Sequence, residues 1–242
     1  MKILNLLTFL FMTATLLFSA SESKSQTVKG NGDIAKETRN VSSFSKLELN
    51  SVMNVFLKQT GSESVTIEAD KNLIPFIKTY VKESTLIIEI EKDIKFDGYE
   101  KMNVYVSLVD LNNIENNSVG NVKSENQLNL SSLTIENNSV GNLDLDLNCK
   151  NLNTEINSVG NVSLSGKADN VSIENNSVGN LDAIDLTAVN LTIESNSVGN
   201  SNVYATGEIS IEANGVGNVI YKGDPVVKSL KKNGVGNVKK FK

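Results

Sequence analysis

The sequence predicts an all-β protein: a solenoid of the parallel β-helix type, with rungs of about 20 residues. The first observation is the pentapeptide Asn-Ser-Val-Gly-Asn, which recurs through the second half of the chain and ends as Asn-Gly-Val-Gly-Asn in its last two copies. The second is its spacing, since successive copies are separated by 21, 19, 19, 20, 18 and 19 residues. The glycines at the fourth position are Gly120, Gly141, Gly160, Gly179, Gly199, Gly217 and Gly236.

Between the pentapeptides, apolar and polar residues alternate, as in Leu143, Leu145, Leu147 and Cys149. This period of two is typical of strands, whose successive side chains point to opposite faces. Three short strands joined by corners fit one rung, and equivalent positions should then stack about 4.8 Å apart. We expect the Val or Leu after each pentapeptide to fill the interior. The Asn columns should form amide ladders, and the glycines should supply the positive φ or tight backbone that a corner needs.

Two other repeat folds are alternatives to the β-helix. Leucine-rich repeats have a similar period, but their L-x-x-L-x-L-x-x-N pattern does not fit this sequence. Antiparallel meanders and propeller blades need tight hairpin turns and longer periods. The pattern therefore favours the β-helix.

The N-terminal segment reads as a secretory signal peptide over residues 1–25. It has a positive start at Lys2, an apolar stretch over residues 3–18 and small residues where a signal peptidase could cut. No Cys follows the apolar stretch, so lipid attachment of the bacterial lipoprotein kind is not expected. No later segment is apolar enough to predict a transmembrane span. The prediction is an exported protein in the periplasm, on the outer surface or in the medium.

Residues 26–112 are predicted to form N-terminal strands and a cap, and residues 113–242 to form the repeat rungs. A worn copy of the pentapeptide stands at 50–54, with Met53 in place of the glycine. We expect one helix, over residues 72–81, despite Pro75. Solenoid ends expose unpaired backbone and apolar side chains, so the irregular N-terminal part is expected to cap one end.

Composition excludes several function classes. The formal net charge is −5, with a single arginine, no His and no Trp. Nucleic acid is not an expected partner, because phosphate binding needs clustered Lys and Arg. Without His, Ser-His and Cys-His nucleophile arrangements are absent, and a zinc site or other cofactor is not predicted. The single Cys149 lies in phase with core leucines and is expected to be a buried thiol.

Acidic residues supply the candidate site. Six glutamates are predicted to share one register position and form a column that binds a divalent cation or a cationic partner; the alternative is a solvated surface row. These residues are Glu115, Glu136, Glu155, Glu174, Glu194 and Glu212. A polysaccharide-active enzyme would need a carboxylate pair. The available pairs are Asp144 with Asp146 and Asp182 with Asp185, which are expected to be solvated outer-face residues.

A set of ordered motifs carries a family resemblance. The chain shows Gly30-Asn31-Gly32, then an Arg-x-Val-x-x-Phe segment from Arg39 to Phe44, a strand ending at Asp70, and Tyr-Lys-Gly-Asp-Pro at 221–225. Over roughly residues 30–242 it resembles the putative auto-transporter adhesin, head GIN domain family of Bacteroidetes-type bacteria. The resemblance implies a right-handed parallel β-helix, an exported location and no known catalytic activity. The chain differs in carrying Asn-Ser-Val-Gly-Asn where the family more often shows Ser-Gly-Ser-Gly-Asp.

Together these observations predict an exported, non-catalytic scaffold or adhesin-like protein of the cell envelope. Its expected partner is a glycan or a cell-surface protein, and self-association is left open. The alternative function is a polysaccharide-active β-helix enzyme or a carbohydrate-binding module.

Overall fold

The structure, a computed structural model, describes residues 25–241. The predicted all-β solenoid is confirmed, with about 7 turns and rungs of about 19 residues. The predicted signal peptide, apart from its last residue, lies outside the described residues.

The N-terminal strands build the first rungs. They are β1 (Gln26–Lys29), β2 (Ile34–Arg39), β3 (Lys46–Asn50), β4 (Asn54–Gln59), β5 (Ser64–Asp70), β6 (Ile77–Lys82), β7 (Thr85–Ile90), β8 (Ile94–Asp97) and β9 (Met102–Leu108). Strand β3 pairs in parallel with β7, and β4 with β9, which gives the first two layers of the stack. Strands β2, β5 and β6 add antiparallel pairs, and β1 pairs with β8 in a separate small sheet.

The repeats continue this stack. Their strands are β10 (Asn113–Asn116), β11 (Val122–Ser124), β12 (Leu128–Asn129), β13 (Ser132–Asn137), β14 (Leu143–Ile156), β15 (Val162–Asn175), β16 (Leu181–Ser195), β17 (Ser201–Ala213), β18 (Val219–Lys222), β19 (Val226–Lys232) and β20 (Val238–Lys240). Strands β14 to β17 each run from one pentapeptide to the next and pair in parallel. The pairing puts each residue beside its equivalent in the next repeat.

The interior is a continuous apolar column, because the alternation of each strand sends every second side chain inward. The residue after the pentapeptide is at most 1% exposed in all five predicted positions: Val122, Leu143, Val162, Leu181 and Val219. Cys149 is also buried, as predicted. Burial, with a smaller contribution from the charge of Asp169, raises the pKa of its thiol to about 11, so the thiol is protonated at neutral pH.

The helix predicted over residues 72–81 is wrong. A single turn of 3₁₀-helix covers Ile74–Phe76, and the chain then enters β6, which pairs antiparallel with β7. Glu83 and Ser84 both have positive φ, at 50° and 61°, which is the backbone of a tight hairpin turn. The hairpin completes the sheet over the first rungs, and this tertiary pairing decides against a helix that already carries Pro75 near its start.

The pentapeptide glycines are required by close backbone approach and not by positive φ. Positive-φ glycines occur among the described residues only at Gly32, Gly98, Gly166 and Gly223, all outside the pentapeptide's fourth position. A Cβ added at Gly179 would lie 2.1 Å from the carbonyl oxygen of Gly160, and the other six positions give distances of 1.7–2.1 Å to the rung before. The positive φ predicted for these glycines is therefore wrong, and the close approach between neighbouring rungs was not foreseen.

A buried polar column, not predicted from the sequence, lies just inside the corners. Asn116, Asn137 and Asn175 are fully buried, one residue before the pentapeptide. In each of these rungs the hydroxyl of the pentapeptide serine lies within hydrogen-bonding distance of the asparagine Oδ1 and of the glycine carbonyl two residues on, and its one hydrogen is shared between these two acceptors. These bonds satisfy polar groups that would otherwise be costly to bury.

A buried carboxylate joins separate segments of the N-terminal part. Asp70 is fully buried at the end of β5, and its side chain accepts hydrogen bonds from the backbone N–H of Gly32 (2.6 Å), Glu100 (3.0 Å) and Lys101 (3.4 Å). Burial acts to raise the pKa of Asp70, but these N–H donors outweigh it and hold the pKa below the ordinary value of 3.8. The Asp70 carboxylate thus holds the Gly30-Asn31-Gly32 motif beside the segment that precedes β9.

We expect Gly179→Ala to lower the free energy of unfolding by at least about 3 kcal/mol, because the new methyl group meets a backbone oxygen that cannot move aside. Gly61→Ala is the matched control, since nothing lies within 4 Å of its added Cβ. Urea unfolding followed by circular dichroism measures both. Equal midpoints for the two variants would contradict the close-approach explanation.

We expect Asp70→Asn to lower the melting temperature at neutral pH and to flatten its acid dependence. Because the folded-state pKa is depressed, the carboxylate stabilises the fold above the ordinary pKa, and that stabilisation is lost as the pH falls through the folded value. Melting curves between pH 2 and 7, with the exposed Asp33→Asn as control, measure this. An unchanged melting temperature at pH 7 would contradict the stabilising role of the Asp70 carboxylate.

Candidate functional site

One flat outer face runs along the solenoid, formed by the strand that precedes each pentapeptide. We call it the Glu face. Its outward side chains fall into columns that follow the solenoid axis, because each strand pairs in register with the next. Column neighbours are about 4.8 Å apart. The face therefore presents the same row of groups at each level.

The predicted glutamate column exists as one register position. Each glutamate pairs with the next along the stack, from Glu115 through Glu136, Glu155, Glu174 and Glu194 to Glu212. Of the residues at its ends, Lys231 was predicted to close the column in the last rung, and Glu48 was not foreseen. Glu48 pairs with Glu115 on one side, and Lys231 pairs with Glu212 on the other, with an ion pair of 3.0 Å. Glu48 could have been found, because it stands two residues before Asn50 of the worn pentapeptide, as Glu115 stands before Asn117.

The carboxylates are braced by the first asparagine of the pentapeptide. The Nδ2 of Asn117, Asn157 and Asn176 donates to the Oε1 of the glutamate two residues earlier, at 2.8, 2.8 and 3.0 Å. The same amide also donates to the asparagine Oδ1 of the preceding rung, for example from Asn157 to Asn138 at 3.0 Å. The predicted amide ladder is thus present, and it holds the glutamates in a fixed row.

The second asparagine of the pentapeptide forms a different ladder. Its Oδ1 accepts a hydrogen bond from the backbone N–H of the asparagine one rung on, as from Asn161 to Asn142 and from Asn180 to Asn161, at 2.9 and 3.0 Å. Both ladders use their groups within the stack, so they rigidify the corner.

Two shallow pockets that share Thr192 lie end to end along the column of small residues beside the glutamates, and we refer to them together as the groove. Its floor includes Ser172, Thr192, Ser210 and Ser229. One wall is the asparagine column of Asn151, Asn170 and Asn190, joined by side-chain hydrogen bonds of 3.1 and 3.0 Å. The other wall includes Glu194, Glu212 and Lys231. The groove offers hydroxyl, amide and carboxylate groups along one line.

At the corner itself, the valine of every pentapeptide points outward. These side chains are 56–79% exposed and stack into an apolar column that we call the Val ridge: Val119, Val140, Val159, Val178, Val198, Val216 and Val235. A regular row of exposed valines is not explained by core packing. The ridge was not predicted from the sequence, although the valine in the middle of every polar corner is a signal for it.

The predicted acid pairs lie on the next strand around the rung, beyond the Val ridge. The pairing puts Asp144 and Asp182 two rungs apart in one column, and Asp146 and Asp185 two rungs apart in another. Asp144 forms an ion pair with Lys123 at 2.8 Å. Among residues 25–241, no three His, Cys, Asp or Glu side chains are close enough together to hold a metal ion. Whether the glutamate column binds cations in solution stays a prediction.

Comparisons with known proteins identify similar chains. The family model described as putative auto-transporter adhesin, head GIN domain, matches residues 43–225. None of the curated proteins matches the sequence. In the described part of the chain, no helix is long and apolar enough to cross a membrane.

Solved structures give the same fold. A crystal structure of a putative adhesin from Bacteroides fragilis is 32% identical, with a TM-score of 0.83, covering 88% of this chain and all of that one. A putative adhesin from Parabacteroides distasonis is 22% identical, with a TM-score of 0.66, covering 89% of this chain and all of that one. A putative lipid binding protein from the same species is 19% identical, with a TM-score of 0.63 and coverage of 90% and 100%.

We expect the double variant Glu155→Gln, Glu174→Gln to melt about 2–4 °C higher at low ionic strength, because it removes repulsion between stacked carboxylates and keeps an acceptor for the asparagines. The double variant Asp182→Asn, Asp185→Asn makes the same charge change off the Glu face and is the control. If the column binds cations as predicted, millimolar calcium will raise the wild-type melting temperature more than sodium chloride of equal ionic strength. If calorimetry detects no heat of calcium binding, and calcium shifts the melting temperature no more than sodium chloride does, the prediction that the glutamate column binds cations is wrong.

Proposed function

Because the chain belongs to the putative auto-transporter adhesin, head GIN domain family, we propose that it is an exported, non-catalytic adhesin-like protein that binds its partner through the Glu face. The partner is a glycan or a protein on a cell surface. Export is supported by the signal-like sequence of residues 1–25.

The continuity of the Glu face is the observation that carries this proposal. From Glu48 to Glu212 the column is one glutamate per rung. The groove beside it repeats hydroxyl and amide groups at the same spacing. A repeating partner, such as a linear glycan or an extended peptide, can contact several equivalent levels at once, and its affinity then grows by multivalency. A catalytic site has no need of such repetition.

Rigidity of the face supports the same function. The bracing amides fix the glutamate carboxylates before a partner arrives, so less conformational entropy is lost on binding. Non-catalysis is part of the proposal, supported by the absence of His and by the ion pair that engages Asp144. These features favour a binding protein over a polysaccharide-active enzyme.

We expect Thr192→Arg to reduce adhesion at least about tenfold, because a long cationic side chain in place of a small hydroxyl on the floor fills the groove. The measurement is retention, under flow, of beads coated with the purified protein on surfaces bearing mucin, collagen or immobilised oligosaccharides. Ser163→Arg, which makes a similar change at an exposed position of the neighbouring strand, is the control.

Equal loss in both arginine variants would indicate a general effect of charge and would contradict the Glu face as the binding surface. Wild-type beads that adhere to none of the surfaces would contradict adhesion through these partners.

A further inference from the structure

A hollow lies at the end of the Val ridge, where the stack of pentapeptides stops. In the rung of β3 and β4, three residues, 51–53, make the corner between Asn50 and Asn54. In the layer beneath, the partners of these asparagines are Glu89 and Asn103, and thirteen residues, 90–102, join them. That longer segment leaves the corner to form β8 and returns through Tyr99. The position where a further pentapeptide would stack therefore stays open as a pocket.

The pocket combines apolar and hydrogen-bonding groups. Its lining consists of Val52, Asn54, Tyr99, Glu100, Lys101, Met102, Asn103, Val119, Gly120 and Asn121. The Tyr99 side chain is 40% exposed and Val119 is 56% exposed. Half of the lining residues are polar or charged, and Tyr99 with the two valines adds an apolar and aromatic part.

The amides of the pocket continue the second asparagine ladder to its end. The Nδ2 of Asn121 donates to Asn54 Oδ1 at 3.1 Å, and the Nδ2 of Asn54 donates to Asn103 Oδ1 at 3.3 Å. Each amide nitrogen carries two hydrogens, so each keeps one donor beyond these bonds. Asn103 also donates to the hydroxyl of Tyr105 at 3.4 Å. Three amide side chains and the exposed residue Glu100 thus line the pocket together.

The segment that carries Tyr99 is fixed in place. The backbone N–H groups of Glu100 and Lys101 donate to buried Asp70. The Lys101 ammonium forms an ion pair of 2.9 Å with Glu68, which also accepts from Tyr105 at 2.9 Å. Glu68 also forms an ion pair of 3.4 Å with Lys36, so it neutralises Lys101 only in part. Exposed Glu100 balances the remaining positive charge, and the pocket is formed before any ligand binds.

We propose that this pocket binds a neutral pyranose unit of a glycan, with an apolar sugar face against Tyr99 and the sugar hydroxyls bonded to the amides and Glu100. A sugar ring has both kinds of surface, and an aromatic side chain with adjacent amides and a carboxylate complements both. An anionic sugar would meet Glu100 unfavourably. The inference rests on the proposed adhesin function and names the ligand class at one end of the molecule.

The test is an array of neutral, sialylated and sulfated oligosaccharides probed with the purified protein, followed by calorimetric titration of the neutral oligosaccharide that binds most tightly. We expect Tyr99→Ala to weaken that binding about tenfold, the order of a lost aromatic contact. We expect Glu100→Gln to weaken it at least about fivefold through loss of the charge-assisted hydrogen bonds. Tyr80→Ala is the matched control, because Tyr80 is 42% exposed and lies away from the pocket on β6.

Melting curves of each variant distinguish loss of the site from loss of the fold. The inference is overturned if no neutral glycan binds, if anionic glycans bind more tightly, or if Tyr99→Ala binds like Tyr80→Ala. Adhesion that is lost in Thr192→Arg and unchanged in Tyr99→Ala would overturn the pocket and leave the proposed function standing. If the glycan binds and this binding is lost in Tyr99→Ala, while adhesion does not depend on the Glu face, the pocket is supported and the function proposed for the Glu face is wrong.

Discussion

The architecture depends on the approach of one backbone to the next at the corners. Each pentapeptide glycine lies so close to the carbonyl of the rung before that a single methyl group would collide with it. This contact fixes where successive corners stand, and therefore which residues come into register along every column. The core valines and leucines, the asparagine ladders and the glutamate row all follow from the same stacking. Met53 occupies the glycine position in the first copy, where no equivalent corner lies beneath it.

In-register stacking has opposite consequences for different side chains. For asparagine it is favourable, since an amide has both a donor and an acceptor and can bond to an identical neighbour on each side. For glutamate it is unfavourable, since identical charges are brought close together. The structure offsets this cost with the asparagine two residues on, whose amide reaches both the ladder and the carboxylate. One residue type thus supports the fold and holds the charged row.

The repeating part of the fold was predictable from the sequence, because the same residue types recur at equivalent positions in successive repeats. The inward Leu181, the glutamate register and the amide ladders follow from period and alternation alone. Features that occur once were not predictable in this way. Strand β6 depends on pairing with β7, and the pocket beside Tyr99 depends on where residues 90–102 go. The buried Asn116 and Asn137 were missed because asparagine next to an asparagine-rich corner gives no signal of its own burial.

The buried polar column differs from the outer columns in one respect: its residues change from rung to rung. Asn116 and Asn137 are bonded to each other at 2.7 Å, Ile156 takes the next level, and Asn175 bonds to Ser201 at 3.0 Å. Where Ile156 follows Asn137, the Nδ2 of that asparagine has no partner in the described part of the chain. A chain that slipped by one whole repeat while folding would keep nearly all its outer contacts, but it would place amides against apolar side chains inside. The changing residues of this buried column therefore distinguish turns that look nearly alike on the outer surface.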